Sequence, residues 1–123
     1  MGFLDRFRRP TTYTTPAEGD QLIVQQLRRL GVDLNQPREV VHFVYFPTEE
    51  DAEAAASELR EDGYTVEVQP SADAETSPPN PWLALARKNA VVDEASVEVM
   101  RPRFEALAAA RSGEYDGWEA AAV

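Results

Sequence analysis

The segment from Arg38 to Phe46, Arg-Glu-Val-Val-His-Phe-Val-Tyr-Phe, most strongly limits what this chain can fold into. It is rich in β-branched and aromatic side chains, which are typical of strands. Successive side chains of a strand point to opposite faces, and here both sets are largely apolar. The two sets are Val40, His42, Val44 and Phe46, and Val41, Phe43 and Tyr45. This pattern predicts a central strand that is covered on both faces.

One helix is predicted before this strand and one after it. The first begins at Asp20, whose carboxylate can cap the free amides of the first turn, and ends at Gly31. The second begins at Thr48, the first residue of a capping-box-like sequence, and ends at Gly63. Their predicted buried stripes are Ile23, Leu27 and Leu30 in the first helix, and Ala52, Ala55, Ala56 and Leu59 in the second.

Two further strands are predicted after the second helix. Residues 64–69 alternate between apolar and polar side chains, which is typical of a half-buried strand, and residues 82–87 form the next strand. The polar segment between them, residues 70–81, holds four prolines and is predicted to be a surface loop. The two strands are therefore expected to form an antiparallel pair with a long connection.

A last helix is predicted from its N-cap, Asp93, to about Arg111. Pro102 lies inside it, and an interior proline removes one hydrogen bond and clashes with the preceding turn. We therefore expect a kink near residues 98–101 or two helices in succession. The order of the elements predicts an α+β, ferredoxin-like sandwich with helices packed on a mainly antiparallel sheet. Whether residues 114–119 add a fourth strand is left open.

The first part of the chain differs from the rest in composition. Residues 1–9 hold three arginines and one aspartate, and residues 10–16 are rich in threonine and proline. We predict an arm and linker over residues 1–19 and one domain over residues 20–123, since 123 residues are the usual size of a single domain. The arm is either a frayed terminus resting on the acidic body or a small membrane or partner anchor.

The composition excludes several functional classes. The net charge of −10, from 22 acidic and 12 basic residues, disfavours direct nucleic-acid binding, because phosphate backbones attract cations. Basic proteins remain possible partners. The absence of cysteine excludes a thiolate zinc site and a cysteine nucleophile. No apolar run approaches the roughly 20 residues that cross a bilayer. We therefore expect a cytoplasmic protein without a cofactor.

The carboxylates are concentrated in two segments. Residues 49–62 hold seven acidic residues and one arginine, and residues 114–119 hold three acidic residues. These segments are either a binding surface for a cationic partner or a solvated surface that keeps the protein soluble. The candidate partner-binding residues are Glu49, Glu50, Glu53, Glu58, Glu61, Asp62, Glu114, Asp116 and Glu119.

The most unusual local motif is Gly113-Glu114-Tyr115-Asp116-Gly117-Trp118-Glu119. Gly113 suits the end of a helix and Gly117 suits a tight turn. Tyr115 and Trp118 can anchor the tail to the domain. We interpret Gly113, Tyr115, Gly117 and Trp118 as a structural motif.

This tail, with Leu107-Ala108 before it, resembles the closing signature of the RraB family, the B-type regulators of ribonuclease E activity. Other segments are similar and fall in the expected order, so that the resemblance covers about residues 20–119. Ser112 departs from it, because the family tends to have a second glycine there. The other matching segments are Asp20-Gln21-Leu22, Leu27 to Leu34, Arg38 to Phe46, Gly63-Tyr64-Thr65-Val66 and Pro81-Trp82.

The resemblance implies a non-enzymatic, ferredoxin-like protein that binds ribonuclease E through the enzyme's arginine-rich scaffold region and restrains RNA cleavage. Independently, the acidic charge favours a cationic partner. Two alternatives remain: a general interaction module for another basic protein, and a small metal-dependent hydrolase built on the tail carboxylates and His42. The sequence contains no glycine-rich phosphate loop, Ser–His–Asp pattern or zinc spacing, so no catalytic, cofactor or metal residues are assigned. His42 is interpreted as a packed, hydrogen-bonded histidine.

Overall fold

The computed structural model describes the backbone of residues 6–7 and all of residues 15–71 and 80–121. The strands form one antiparallel sheet in the order β1-β5-β2-β4-β3. Its four longer strands and the helices between them follow the ferredoxin-like order, which confirms the predicted α+β sandwich. The described elements are β1 (Arg6–Phe7), α1 (Pro16–Arg29), β2 (Arg38–Phe46), α2 (Glu49–Glu61), β3 (Thr65–Pro70), β4 (Trp82–Ala90), α3 (Glu94–Ala109) and β5 (Glu114–Ala121).

The strand β2 lies between β4 and β5, which confirms its predicted central position. Its buried residues Val40, Val44 and Phe46 share one core with all three helices. Among residues 15–71 and 80–121, no helix packs on the other face of the sheet. The prediction that β2 is covered on both faces is therefore not met by the described residues. Val41 is nevertheless buried, because Arg87 and Glu119 lie directly beside it on the neighbouring strands. Long polar side chains can shield an apolar neighbour with their stems.

The first helix begins earlier than the apolar pattern predicted. Thr15 is its N-cap and accepts a hydrogen bond from the Glu18 amide at 3.2 Å, and Pro16 occupies the first turn, where proline is favoured. Asp20 therefore lies inside the helix, and its prediction as the N-cap is wrong. Leu30, which was predicted to be buried, is the C-cap of this helix and is 60% exposed.

The second helix matches its prediction. Thr48 accepts a hydrogen bond from the Asp51 amide at 3.1 Å, and the predicted alanine and leucine stripe is fully buried. The third helix starts from a capping box of Asp93 and Ser96. It continues through Pro102 as one helix, so the alternative of two successive helices is wrong.

The strand predictions hold with two additions. β3 and β4 form the expected antiparallel pair, and β5 supplies the fourth long strand that the sequence left open. Arg6–Phe7 pair with β5 as a short edge strand. The division of the chain at residues 19 and 20 stays a prediction. The rest of the arm, with its possible anchor role, and residues 72–79 of the predicted loop lie outside the described residues.

Candidate interaction surfaces

A β-bulge in β5 explains the spacing of the tail motif. Tyr115 pairs with Val44 and Gly117 pairs with Phe43, so Asp116 is an extra residue in this strand. Tyr115 and Trp118 are three positions apart and would face opposite sides of a regular strand, but the bulge turns both toward the helices. Gly117 has a φ of 121° at this point. The tight turn predicted at Gly117 is therefore wrong, since the residue lies within a bulged strand.

Trp118 takes part in a buried polar network that joins three elements. Its indole N–H donates to Asp20 Oδ1 at 2.8 Å. Arg101 donates from Nε to Asp20 Oδ2 at 2.5 Å and from Nη2 to Oδ1 at 3.0 Å. Burial alone would lower the pKa of Arg101, but the hydrogen bond and charge of Asp20 outweigh it and raise that pKa. The network ties α1, α3 and β5 together.

His42 lies next to this network and is 1% exposed. Its Nδ1 is 2.8 Å from the Tyr115 hydroxyl, and its ring stacks on Phe104 with centroids 3.9 Å apart. Burial, helped by the charge of Arg101, lowers the pKa of His42 to about 3. The histidine is therefore neutral and packed, which confirms its structural interpretation.

A hydrolase built on His42 and the tail carboxylates finds no support in this geometry. His42 is enclosed on the helix-covered side, whereas Asp116 is the extra residue of the bulge. Among residues 15–71 and 80–121, no group of three or more histidine or acidic side chains could hold a metal ion.

The turn before β5 uses both Ser112 and Gly113 to end α3. The Gly113 amide donates to the Ala108 carbonyl at 2.8 Å and the Ser112 amide donates to the Ala109 carbonyl at 3.3 Å, which is the Schellman arrangement. Gly113 therefore lies at the helix end, as predicted, and Ser112, with a φ of 56°, occupies the left-handed position of the motif. Gly113 is needed for close approach, because a Cβ would lie 2.7 Å from Phe46 Cδ1 and nearer still to the Tyr45 carbonyl.

The acidic residues of α2 lie on its exposed side. Glu53 is 3.7 Å from Arg60, and Asp62, which follows the helix, is paired with Arg103 of α3. Four further carboxylates of the helix form no ion pair with the described part of the chain. They are Glu49, Glu50, Glu58 and Glu61.

The tail carboxylates lie elsewhere. Glu114 pairs with Tyr45 and Glu119 pairs with Val41, which places both on the sheet face opposite the helices. Glu119 lines a shallow depression of about 390 Å³ there, together with Val41 and Arg87. The sheet therefore separates Glu114 and Glu119 from the six candidate residues on and directly after α2, and the ninth candidate, Asp116, is the extra residue of the bulge.

Comparison with known proteins assigns the family. The sequence profile of the family described as Regulator of ribonuclease activity B matches residues 17–120. This chain belongs to the RraB family. RraB proteins are non-enzymatic regulators, and membership implies a regulator that binds and inhibits ribonuclease E. A search of curated proteins found no match.

The RraB match contains both features described above. It runs from α1 to β5 and so includes the buried network of Asp20, Arg101 and Trp118 as well as the acidic helix α2. None of the helices in the described part of this RraB chain is long and apolar enough to span a membrane.

Proposed function

We propose that this RraB protein regulates ribonuclease E by protein–protein contacts made through the exposed acidic side of α2. The observation that carries the proposal is the set of four carboxylates on this helix that form no ion pair with the described residues. These groups attract a cationic partner without first breaking an ion pair with the described residues. Complementary charge of this kind speeds association and selects the partner.

The partner segment is a basic part of ribonuclease E, and binding would occlude or remodel the contacts that the enzyme's scaffold makes. No contact of this protein with RNA is needed, and the net charge of −10 would oppose one. The site of action would be the cytoplasm. A basic segment of another protein would suit α2 by charge alone, so the identity of the partner must be tested directly.

The test uses purified protein, full-length ribonuclease E from the same organism and a reporter RNA. We expect binding at low salt and a slower initial rate of RNA cleavage. The association rate should fall steeply with added salt, because the Debye length shrinks from about 10 Å at 0.1 M to about 3 Å at 1 M.

A neutralised α2 variant sharpens this test. The triple substitution Glu50→Gln/Glu58→Gln/Glu61→Gln removes three exposed charges and should lower the low-salt association rate roughly tenfold, within the range that electrostatic steering provides. Its circular dichroism should match that of the wild type. Absence of any binding by the wild type at low salt would disprove the proposed function. If binding is unchanged by added salt and by the triple substitution, α2 is not the binding surface.

A further inference from the structure

The outer side of α3 carries an apolar stripe between its charged residues, unlike that of α2. Ala95, Val99, Pro102 and Ala106 follow one another at helical spacings of four, three and four residues, and all four are exposed. We call this set the α3 ridge. Val99 is 73% exposed, whereas the opposite side of the helix fills the core. A surface helix normally keeps its solvent side polar, so an apolar ridge marks a contact site.

Carboxylates border the ridge on the side of α2. The ion pair between Asp62 and Arg103, and that between Asp51 and Arg111 at 3.8 Å, align α2 next to α3. Glu58 lies on the same edge of α2, seven residues after Asp51 and four before Asp62. It is exposed and forms no ion pair with the described residues, so it is available to a partner that lies along the ridge.

A groove borders the ridge on the side of α1. It has a volume of about 210 Å³ and is lined by Ala17, Pro102, Glu98 and Glu105, among others. Glu105 is 3.3 Å from Arg101, and Glu98 has no ion pair among the described residues. Arg101 also lines this groove, but Asp20 and Glu105 balance its charge. An entering lysine or arginine could lay its aliphatic stem on Ala17 and Pro102 and place its charge at Glu98.

We propose that the α3 ridge binds an amphipathic, basic helix of ribonuclease E. The apolar side of that helix packs on Val99, Pro102 and Ala106, and its cations reach Glu58 on one border and Glu98 on the other. Recognition of an amphipathic helix through its apolar face is a common mode of peptide binding. The inference rests on the proposed function, because α2 supplies one border of the ridge. A second copy of this chain is a poorer occupant, since self-association would bring acidic borders against each other.

The test compares two exposed apolar residues of the full chain. Val99→Gln places an amide on the ridge, and the control, Leu30→Gln, makes the same change at the end of α1, where the side chain is 60% exposed. Glutamine is at least as good a helix former as valine, so Val99→Gln should fold. The probes are full-length ribonuclease E and overlapping 25-residue peptides that cover its basic regions.

We expect Val99→Gln to weaken binding of the enzyme about tenfold, equivalent to ~1.4 kcal/mol, and Leu30→Gln to leave binding unchanged. The peptides that bind should carry net positive charge and gain helical circular dichroism. The contact would then combine an apolar core with the charged borders.

Three results would overturn the inference. If Val99→Gln and Leu30→Gln both bind ribonuclease E as tightly as the wild type, while the α2 triple variant binds it more weakly, the proposed function stands and the ridge is not the contact. If the wild type fails to bind the enzyme at low salt, the proposed function and the inference fall together. If the wild type is a dimer that Val99→Gln dissociates without changing enzyme affinity, the ridge is an interface between two copies of this chain.

Discussion

The segments α2 and β5 are both acidic, but they use their residues in different ways. α2 buries alanines and Leu59 and keeps its carboxylates in solvent. β5 buries Tyr115 and Trp118 among the helices and directs Glu114 and Glu119 to the other face of the sheet. The charge of α2 is therefore a property of the surface, whereas the motif of β5 mainly builds the fold. Substitutions in the network around β5 should lower stability, and those on α2 should change binding.

The largest effect is expected for Asp20→Asn. The substitution removes the buried counter-ion of Arg101 and leaves only the half-exposed Glu105, 3.3 Å away, to pair with it. Removing one partner of a buried ion pair typically costs about 3–5 kcal/mol in the free energy of unfolding. The matched control is Glu58→Gln on α2, an exposed carboxylate whose loss should change stability by less than about 0.5 kcal/mol. Urea unfolding measures the free energy of unfolding of both variants. Equal values for Asp20→Asn and Glu58→Gln would show that Asp20 does not hold α1, α3 and β5 together.

Gly113→Ala should destabilise the protein by about 1–3 kcal/mol, the usual cost of an extra group in a packed site. The added Cβ would collide with Phe46 and with the Tyr45 backbone, which forces β5 away from β2. Gly31→Ala is a useful comparison, because its Cβ would meet nothing within 4 Å and only the φ of 77° opposes it. Thermal unfolding of both variants separates collision from backbone strain, and an unchanged Gly113→Ala would contradict the close approach.

His42 should make the protein sensitive to acid. Its pKa is about 3 in the folded chain against an ordinary value of 6.5, so the unfolded state binds more protons between these values. The free energy of unfolding should therefore fall as the pH drops from about 6.5 towards 3, with a slope from this group of up to about 1.4 kcal/mol per pH unit.

The chain has one histidine, so its NMR signal is unambiguous. The imidazole C–H resonance of the folded protein should not titrate between pH 8 and pH 5. A midpoint near 6.5 would mean that the ring of His42 is in contact with water.

The smallest effect is a gain in stability from Ser112→Gly. Ser112 has a φ of 56°, a conformation that costs an L-residue about 1–2 kcal/mol and costs glycine much less. Part of this gain is lost to the greater freedom of glycine in the unfolded chain. We expect a net stabilisation of about 0.5–1 kcal/mol by denaturant unfolding, and a loss of stability would show that the left-handed turn is not formed.

Much of the fold could be predicted from local patterns. The caps Thr48 and Asp93, the alanine stripe of α2 and the alternation of residues 64–69 all depend on neighbours in sequence. The start of α1 was missed because Thr15-Pro16 lies in a segment whose composition is typical of a linker. Pairing between distant elements, such as that of Asp20 with Arg101, leaves no local periodicity to detect.

Two sequence signals could have revealed more of the candidate site. Arg101 shares a helical stripe with Val97, Phe104 and Ala108, and a charge on a buried stripe requires a buried partner. Tyr115 and Trp118 are three apart with a glycine between them, which is a sign of a bulge when both must be buried. The α3 ridge was missed because alanine is common on either side of a helix, so only the structure shows which alanines are exposed.

The most direct test of the functional difference between the two acidic regions is inhibition of ribonuclease E by two matched triple variants. One is the α2 triple. The other is Glu67→Gln/Glu114→Gln/Glu119→Gln, which removes the same charge from the sheet face opposite the helices. Glu67 of β3 lies on that face because it pairs with Leu85, which in turn pairs with Phe43. We predict that the concentration needed for half-maximal inhibition of RNA cleavage rises roughly tenfold for the α2 triple and stays near the wild-type value for the other. Equal loss in both, or loss only in the sheet-face triple, would contradict the assignment of binding to α2.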